Sequence, residues 1–129
     1  MKIVFLDRDT ISPGTTLRAP AFAHTWTQHD RTTAEQAAQR IRDAHIVIVN
    51  KVKLSAETLA QAPQLKLIAV AATGTDNIDL AACQQRGIVV SNVRNYAKHT
   101  VPEHTFALIF ALRRSICAYR DAVKAGRWQ

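Results

Sequence analysis

The chain has 129 residues, with seventeen Lys or Arg against ten Asp or Glu for a formal charge of +7, and it is 47% apolar but only 6% aromatic. That length suits one domain of about 100–150 residues, able to bury a core without a disulfide or metal staple. High apolar content with only four Gly and four Pro excludes a disordered or collagen-like chain. The most apolar run, residues 106–112, ends at Arg113-Arg114, well short of the about 18 residues a membrane span needs.

The elements follow one another regularly. Residues 2–6 are a short apolar run stopped by Asp7-Arg8-Asp9 and read as a buried strand. Ser12-Pro13-Gly14 is a turn cluster, and a second, weaker strand is expected around residues 25–29. Thr32-Thr33-Ala34-Glu35 has capping-box spacing and opens a helix to about Arg42. The run HIVIVN (45–50) has the composition of a strand covered on both faces. Ser55 caps a short helix ending at Pro63, and LKLIAVAA (65–72) is the fourth strand. A helix is expected over residues 76–86, closed by Gly87, before a fifth strand at 88–90. Thr100-Val101-Pro102-Glu103 reads as a second capping box, opening one helix to about Ala125, roughly 37 Å at 1.5 Å per residue. Its middle, FALIFAL, is apolar all round, so several surfaces must cover it.

Strands alternating with helices predict an α/β fold: a flavodoxin-like, doubly wound, parallel five-stranded sheet of order 2-1-3-4-5 with helices on both faces, followed by the long C-terminal helix. Ligands in such sheets collect at the carboxyl ends of the strands, here the loops 7–16, 50–54, 73–77 and 91–100. Cys83 and Cys117 lack a CxxC or His-rich context and are expected as free thiols in a reducing, cytoplasmic setting, with no metal. Charge is uneven: residues 1–85 carry nine basic and eight acidic side chains, residues 86–129 eight basic and two acidic. Nucleic acid, an anionic ligand or a partner surface could each meet that basic end. No zinc-finger, RNA-recognition or basic–aromatic pattern accompanies it, so nucleic acid is not expected as a partner, nor is a membrane.

Chemistry could sit in the loop Ala72-Thr73-Gly74-Thr75-Asp76-Asn77, where a strand ends and a helix is expected to open. Glycine admits close backbone approach, and successive N–H groups there form a concavity for a small carboxylate or phosphate. A plain tight turn accounts for the single glycine equally well. Asn50-Lys51 would point into the same crevice, either as a carboxylate-holding lysine or as a solvated one. Tyr96 lies in the loop before the last helix, as a packing residue or a ligand contact. None of the five histidines has a carboxylate at a spacing that dictates a proton relay, and no dinucleotide glycine fingerprint or P-loop occurs.

Three stretches together, VIVNKVKL (47–54), LKLIAVAATGTDNIDLAACQQRGIVVSNV (65–93) and TVPEHTFALIFALRRSICAYRDAVKAGRW (100–128), closely resemble the D-isomer-specific 2-hydroxyacid dehydrogenases, nearest the glycerate dehydrogenase (hydroxypyruvate reductase) branch. The resemblance implies that residues 1–99 belong to a substrate (catalytic) domain. Residues 100–129 would then form an interdomain helix leading to a Rossmann domain that binds NAD or NADP and is absent from these residues. It further implies that Ala72, Thr73 and Gly74 hold a 2-keto or 2-hydroxy acid by its carboxylate. Asn50 and Lys51 would close over the substrate, Tyr96 would lie near the keto acid and Val101 would touch the nicotinamide side of the cofactor. The family's catalytic Arg, Glu and His fall in later segments, so no catalytic residue is assigned and the 129 residues alone are expected to be inactive. Helix 101–125 would pair two subunits in a homodimer. The rival readings are a stand-alone carboxylate-binding module and a basic nucleic-acid-binding domain.

Overall fold

The computed structural model describes residues 1–127, and Trp128 and Gln129, at the end of the third resemblance stretch, lie outside them. The chain divides into two units, Met1–Arg94 and one that begins at Asn95.

The first unit is built on five strands, β1 (Lys2–Phe5), β2 (Thr25–Gln28), β3 (Ile46–Val49), β4 (Leu67–Val70) and β5 (Val89–Asn92). All four neighbouring pairs are parallel, and the order across the sheet is β2-β1-β3-β4-β5. The order expected from the sequence is therefore the one observed. Helices α1 (Ala34–Ile41), α2 (Ala56–Ala60) and α3 (Leu80–Gln85) fill the crossovers that run from β2 towards β5. Right-handed crossovers all running in one direction put their helices on one face of the sheet. Accordingly Ala37 and Ile41 of α1, Leu59 of α2 and Cys83 of α3 share one core with Val4, Val47, Val49, Ile68 and Val70.

Helices on both faces are not found in this unit. The reverse crossover, from β1 to β2, holds only a 3-10 turn at Arg8–Thr10. On the face away from the helices Ile3 and Phe5 are buried, but Ile46, Ile48, Leu67 and Ala69 are half-buried. The β-branched run of β3 thus has one sealed face rather than two.

Local chemistry moves two boundaries. The capping box of α1 is framed on Thr33 and Gln36, whose side chain accepts from the Thr33 N–H at 3.1 Å. Thr32, expected as the cap, instead donates its hydroxyl to the Leu6 carbonyl and accepts from Arg40 at 2.6 Å. Helix α3 starts at Leu80 on an Asp79 cap, whose carboxylate accepts from Ala82 N–H at 2.9 Å, and not at residue 76. Gly87, at φ +67°, closes it in the left-handed conformation that glycine adopts without steric cost. Arg86, at that same end, donates to the carbonyls of Leu59 and, at 2.9 Å, Ala62, tying α3 to α2.

The second unit contains α4 (Thr100–Arg113) and α5 (Ile116–Lys124), where one helix over 101–125 was expected. Ser115 sits at φ +50° and its N–H turns back to Leu112 at 3.1 Å, a tightened last turn that ends α4. A short hydroxyl side chain after two bulky like charges gives the backbone little reason to stay helical. The second capping box is not formed either. A helical turn already precedes Thr100, with Val101 N–H bonded to Ala97 at 3.1 Å, and His99 occupies the cap position without a side-chain bond. Both cysteines are free, Cys83 buried and Cys117 exposed, and burial pushes the Cys83 thiol up from its ordinary value.

Candidate functional site

At the carboxyl end of β1 the chain turns into Asp7, the one buried charged side chain among the described residues, at 4% exposure. A carboxylate is driven into such a place only when donors replace its water. Three successive backbone amides do so: Asn50 at 2.9 and 3.1 Å, Lys51 at 2.6 Å and Val52 at 3.2 Å. These N–H groups form the anion-holding concavity of a backbone nest, and the anion they hold is the protein's own. The loop after β3 is thereby clamped to the end of β1.

The same loop is tied to the loop after β4. Asn77 donates its side-chain amide to the Val52 carbonyl at 3.0 Å and to the Asn50 carbonyl at 3.4 Å. Leu54 accepts from Asp79 N–H at 3.0 Å and donates to Asn77 at 2.8 Å, as a short parallel bridge to Ile78 forms. This bridge is why α3 starts late, because residues 76–78 are committed to a turn and to the bridge. On the other side, Thr73 donates its hydroxyl to Val93 at 2.9 Å, and Asn92 donates to the Thr73 carbonyl at 2.6 Å.

Between the two loops lies a cavity of about 140 Å³ lined by Asn50, Lys51, Ala72, Gly74, Asp76 and Asn77. Ligands of drug size need about 300–1,000 Å³, so this space suits an acid of a few carbons. The amides of Thr73, Gly74 and Thr75 make no hydrogen bond to a protein acceptor among the described residues and remain available to a ligand. A Cβ on Gly74 would stand 2.9 Å from the Asp76 carboxylate, so glycine here makes room beside a charged group. Lys51 supplies the cation of the cavity, and Asp76 opposes it.

Of the residues singled out from the sequence, Asn50, Lys51, Ala72 and Gly74 come together here, while Thr73 is exposed beside them and does not line the cavity. Tyr96 and Val101 belong to the second unit and are exposed at 64% and 59%. The glycine loop does not open a helix directly, so its amides act as a loop and not as a helix start. Asp7 was not read as a site residue, and Asp76 and Asn77 were named only as part of the glycine loop. An acidic residue directly after a buried strand was the only available sign of Asp7, and that sign reads equally as a strand end.

The groups with displaced pKa values lie elsewhere. Burial, then the Arg40 charge, lowers His29, while hydrogen bonds from Thr33 and Ser55 lower Glu35 and Glu57. No group of three or more His, Cys, Asp or Glu that could hold a metal occurs among the described residues. The cavity sets one cation, Lys51, and one carboxylate, Asp76, beside the unbonded amides of the glycine loop.

Fold and site together define a parallel α/β unit with a small cavity at the carboxyl ends of its strands. The family model for the D-isomer specific 2-hydroxyacid dehydrogenase catalytic domain matches residues 7–126, and the chain belongs to that family. It is similar to the glycerate dehydrogenase of Methylorubrum extorquens, at 49% identity over 98% of this chain and 40% of that protein. Among solved structures it superposes on an acyclic imino acid reductase in complex with NADPH and D-Arg, with a TM-score of 0.74, 25% identity and coverage of 98% of this chain and 41% of that one. A cofactor (NAD+) bound 3-phosphoglycerate dehydrogenase of Entamoeba histolytica gives a TM-score of 0.71 at 27% identity, covering 90% of this chain and 40% of that one. The chain spans about 40% of the length of the curated relatives it matches over its whole extent.

Proposed function

We propose that residues 1–99 form the substrate half of an NAD(P)-dependent D-2-hydroxyacid dehydrogenase, which interconverts 2-keto acids of the hydroxypyruvate or glyoxylate type and D-2-hydroxy acids by hydride transfer. The observation that carries this reading is the cavity between the β3 and β4 loops, which sets Lys51 and Gly74 together in a space sized for a small acid. The Lys51 ammonium and the free amides of Thr73 and Gly74 hold the substrate carboxylate, Ala72 and Asn50 flank it, and Asp76 keeps a second anion out. By family resemblance Tyr96 approaches the keto acid and Val101 the nicotinamide.

The described residues do not fit the dinucleotide itself. The site cavity is too small, and no glycine fingerprint occurs in the sequence. NAD or NADP therefore belongs to a second domain that residues 100–129 lead into, and hydride and proton transfer belong there with it. The two free thiols suit a reducing, cytoplasmic location. No helix among the described residues is long and apolar enough to cross a membrane.

Titrating the ¹⁵N-labelled chain with pyruvate should move the amide signals of residues 73–75 and of Lys51, whereas pyruvamide, which lacks the carboxylate, should not. Gly74→Val, which crowds Asp76 and fills the cavity, should weaken pyruvate about tenfold or more, at about 1.4 kcal/mol per tenfold. Equal responses to the two compounds would refute a carboxylate site.

A homodimer is proposed on the second unit. Phe106, Leu108, Ile109, Phe110 and Leu112 are all about half exposed or more on α4, too much apolar surface for a lone helix in water. Sedimentation at micromolar concentration should show a dimer, and Phe110→Asp with Leu112→Asp should return it to monomer. A monomeric wild-type chain would refute the pairing.

A further inference from the structure

Lys51 is the cation of the acid cavity, but its side chain borders two cavities at once. One is the acid cavity of about 140 Å³, and the other, of about 430 Å³, lies at the carboxyl ends of β1 and β2 and is lined also by Asp9 and Asp30. Lys51 forms no ion pair among the described residues, so its charge is open to either side. Asp9 is already paired with Arg31 at 3.2 Å, which leaves Asp30 as the competing carboxylate. A lysine charge rides on a flexible four-carbon stem, so its reach into one cavity or the other is governed by where its backbone is held.

That backbone is held through both kinds of peptide group. Asp7 Oδ2 accepts the N–H groups of Asn50, Lys51 and Val52, and the Asn77 side chain donates to the carbonyls of Asn50 and Val52. The Lys51 N–H makes the shortest of the contacts to Asp7, at 2.6 Å. We infer that Asp7 is a positioning residue for substrate binding: through the amides of residues 50–52 it places the Lys51 backbone so that the ammonium serves the acid cavity and not Asp30. The inference rests on the carboxylate site proposed above and adds to it a residue that never touches the substrate. Charge alone would give the opposite sign. A buried carboxylate beside the site repels an acid, so removing its charge without moving the loop would tighten binding. A clamp that aims the lysine weakens binding when it is loosened.

Pyruvate affinity of the ¹⁵N-labelled chain, read at the amides of residues 73–75, is the measurement, in a double-mutant cycle with Lys51→Met. Lys51→Met by itself should weaken pyruvate about tenfold, as the loss of a hydrogen bond to a charged group. Asp7→Asn leaves an acceptor in the nest but sets its NH2 group against the Asn50 N–H, which shifts the loop. It should weaken pyruvate about fivefold or more where Lys51 is present, and less than about twofold in the Lys51→Met chain, because the side chain through which Asp7 acts is gone. Asp7→Ala, which removes the acceptor, should weaken pyruvate further in the Lys51 chain. Unchanged amide shifts of Val47 and Ile68 verify that each variant keeps its fold. A merely structural Asp7 would lower Tm and leave the affinity of the folded chain as it was, and that result overturns the assignment. Equal weakening with and without Lys51, tighter binding in Asp7→Asn, or no effect of Lys51→Met overturns it too. Where the Lys51→Met chain binds too weakly to titrate, the Asp7→Asn result in the Lys51 chain decides by its sign. If pyruvate moves no amide of residues 73–75 in the unsubstituted chain, the carboxylate site itself falls and the positioning role with it. That outcome is distinct from pyruvate binding that ignores Asp7.

Discussion

Replacing Asp7 with alanine is expected to cost about 3–5 kcal/mol of stability and to release the loop after β3. Three backbone amides lose their shared acceptor, and hydrogen bonds to a charged group contribute about 1.5–3 kcal/mol each, with incomplete additivity. For a chain of this size that corresponds to a fall in Tm of roughly 10–15 °C. Asp7→Asn should cost less, about 1–3 kcal/mol, because the charge is lost while an acceptor remains. One carboxylate oxygen, Oδ2, receives Asn50, Lys51 and Val52 together, at 3.1, 2.6 and 3.2 Å. An amide oxygen in that position keeps all three donors without the charge, and its NH2 group then faces the Asn50 N–H that also approaches Oδ1 at 2.9 Å. The accompanying local sign is faster hydrogen exchange at the amides of Lys51 and Val52 than at Val47 or Ile68. A loss below about 1 kcal/mol, or uniform exchange across the sheet, would show that the buried carboxylate does not hold this loop.

The second large effect separates the two faces of the sheet. Ile68→Ala should destabilise by about 3–4 kcal/mol, and Leu67→Ala, next to it on the same strand, by roughly 1 kcal/mol. Ile68 is fully buried in the core formed with α1, α2 and α3, while Leu67 points to the opposite, half-covered face. The cost of truncation follows the contacts that cannot close over the gap, so it is largest where helices seal the surface on top of the strand. Urea unfolding of both variants reads the difference directly. Equal costs would mean that the second face is packed as tightly as the first.

These expectations show where the sequence was sufficient. The runs around Val4, Val47, Ile68 and Val90 are short, apolar and β-branched, and the stretches between them leave only a parallel arrangement. Right-handed crossovers narrow the orders such a chain can take, and the flavodoxin-like order 2-1-3-4-5 is the one found. Gly74 and Lys51 could be singled out because each stands in a loop directly after a buried strand, where ligands of such sheets collect.

The misplacements have a common cause. Thr32 and Thr33 are interchangeable as caps on local grounds, and the choice went to Thr33 because Leu6 and Arg40 claim the Thr32 hydroxyl. Helix α3 begins at Leu80 because Leu54 draws residues 77–79 into a bridge. In each case a hydrogen bond from a distant segment outbid a local one of similar strength.

From the sequence alone came the class of the fold, the strand order, the family and four of the residues that line the cavity, since all of these are carried by local pattern and by motif. Tertiary structure decided the site. Asp7 acquires its role from donors 43 to 45 residues away, and the Lys51 backbone is fixed only once that clamp has formed. A hydrogen bond has no period in the sequence, so the burial that makes these groups matter exists only after the chain has folded.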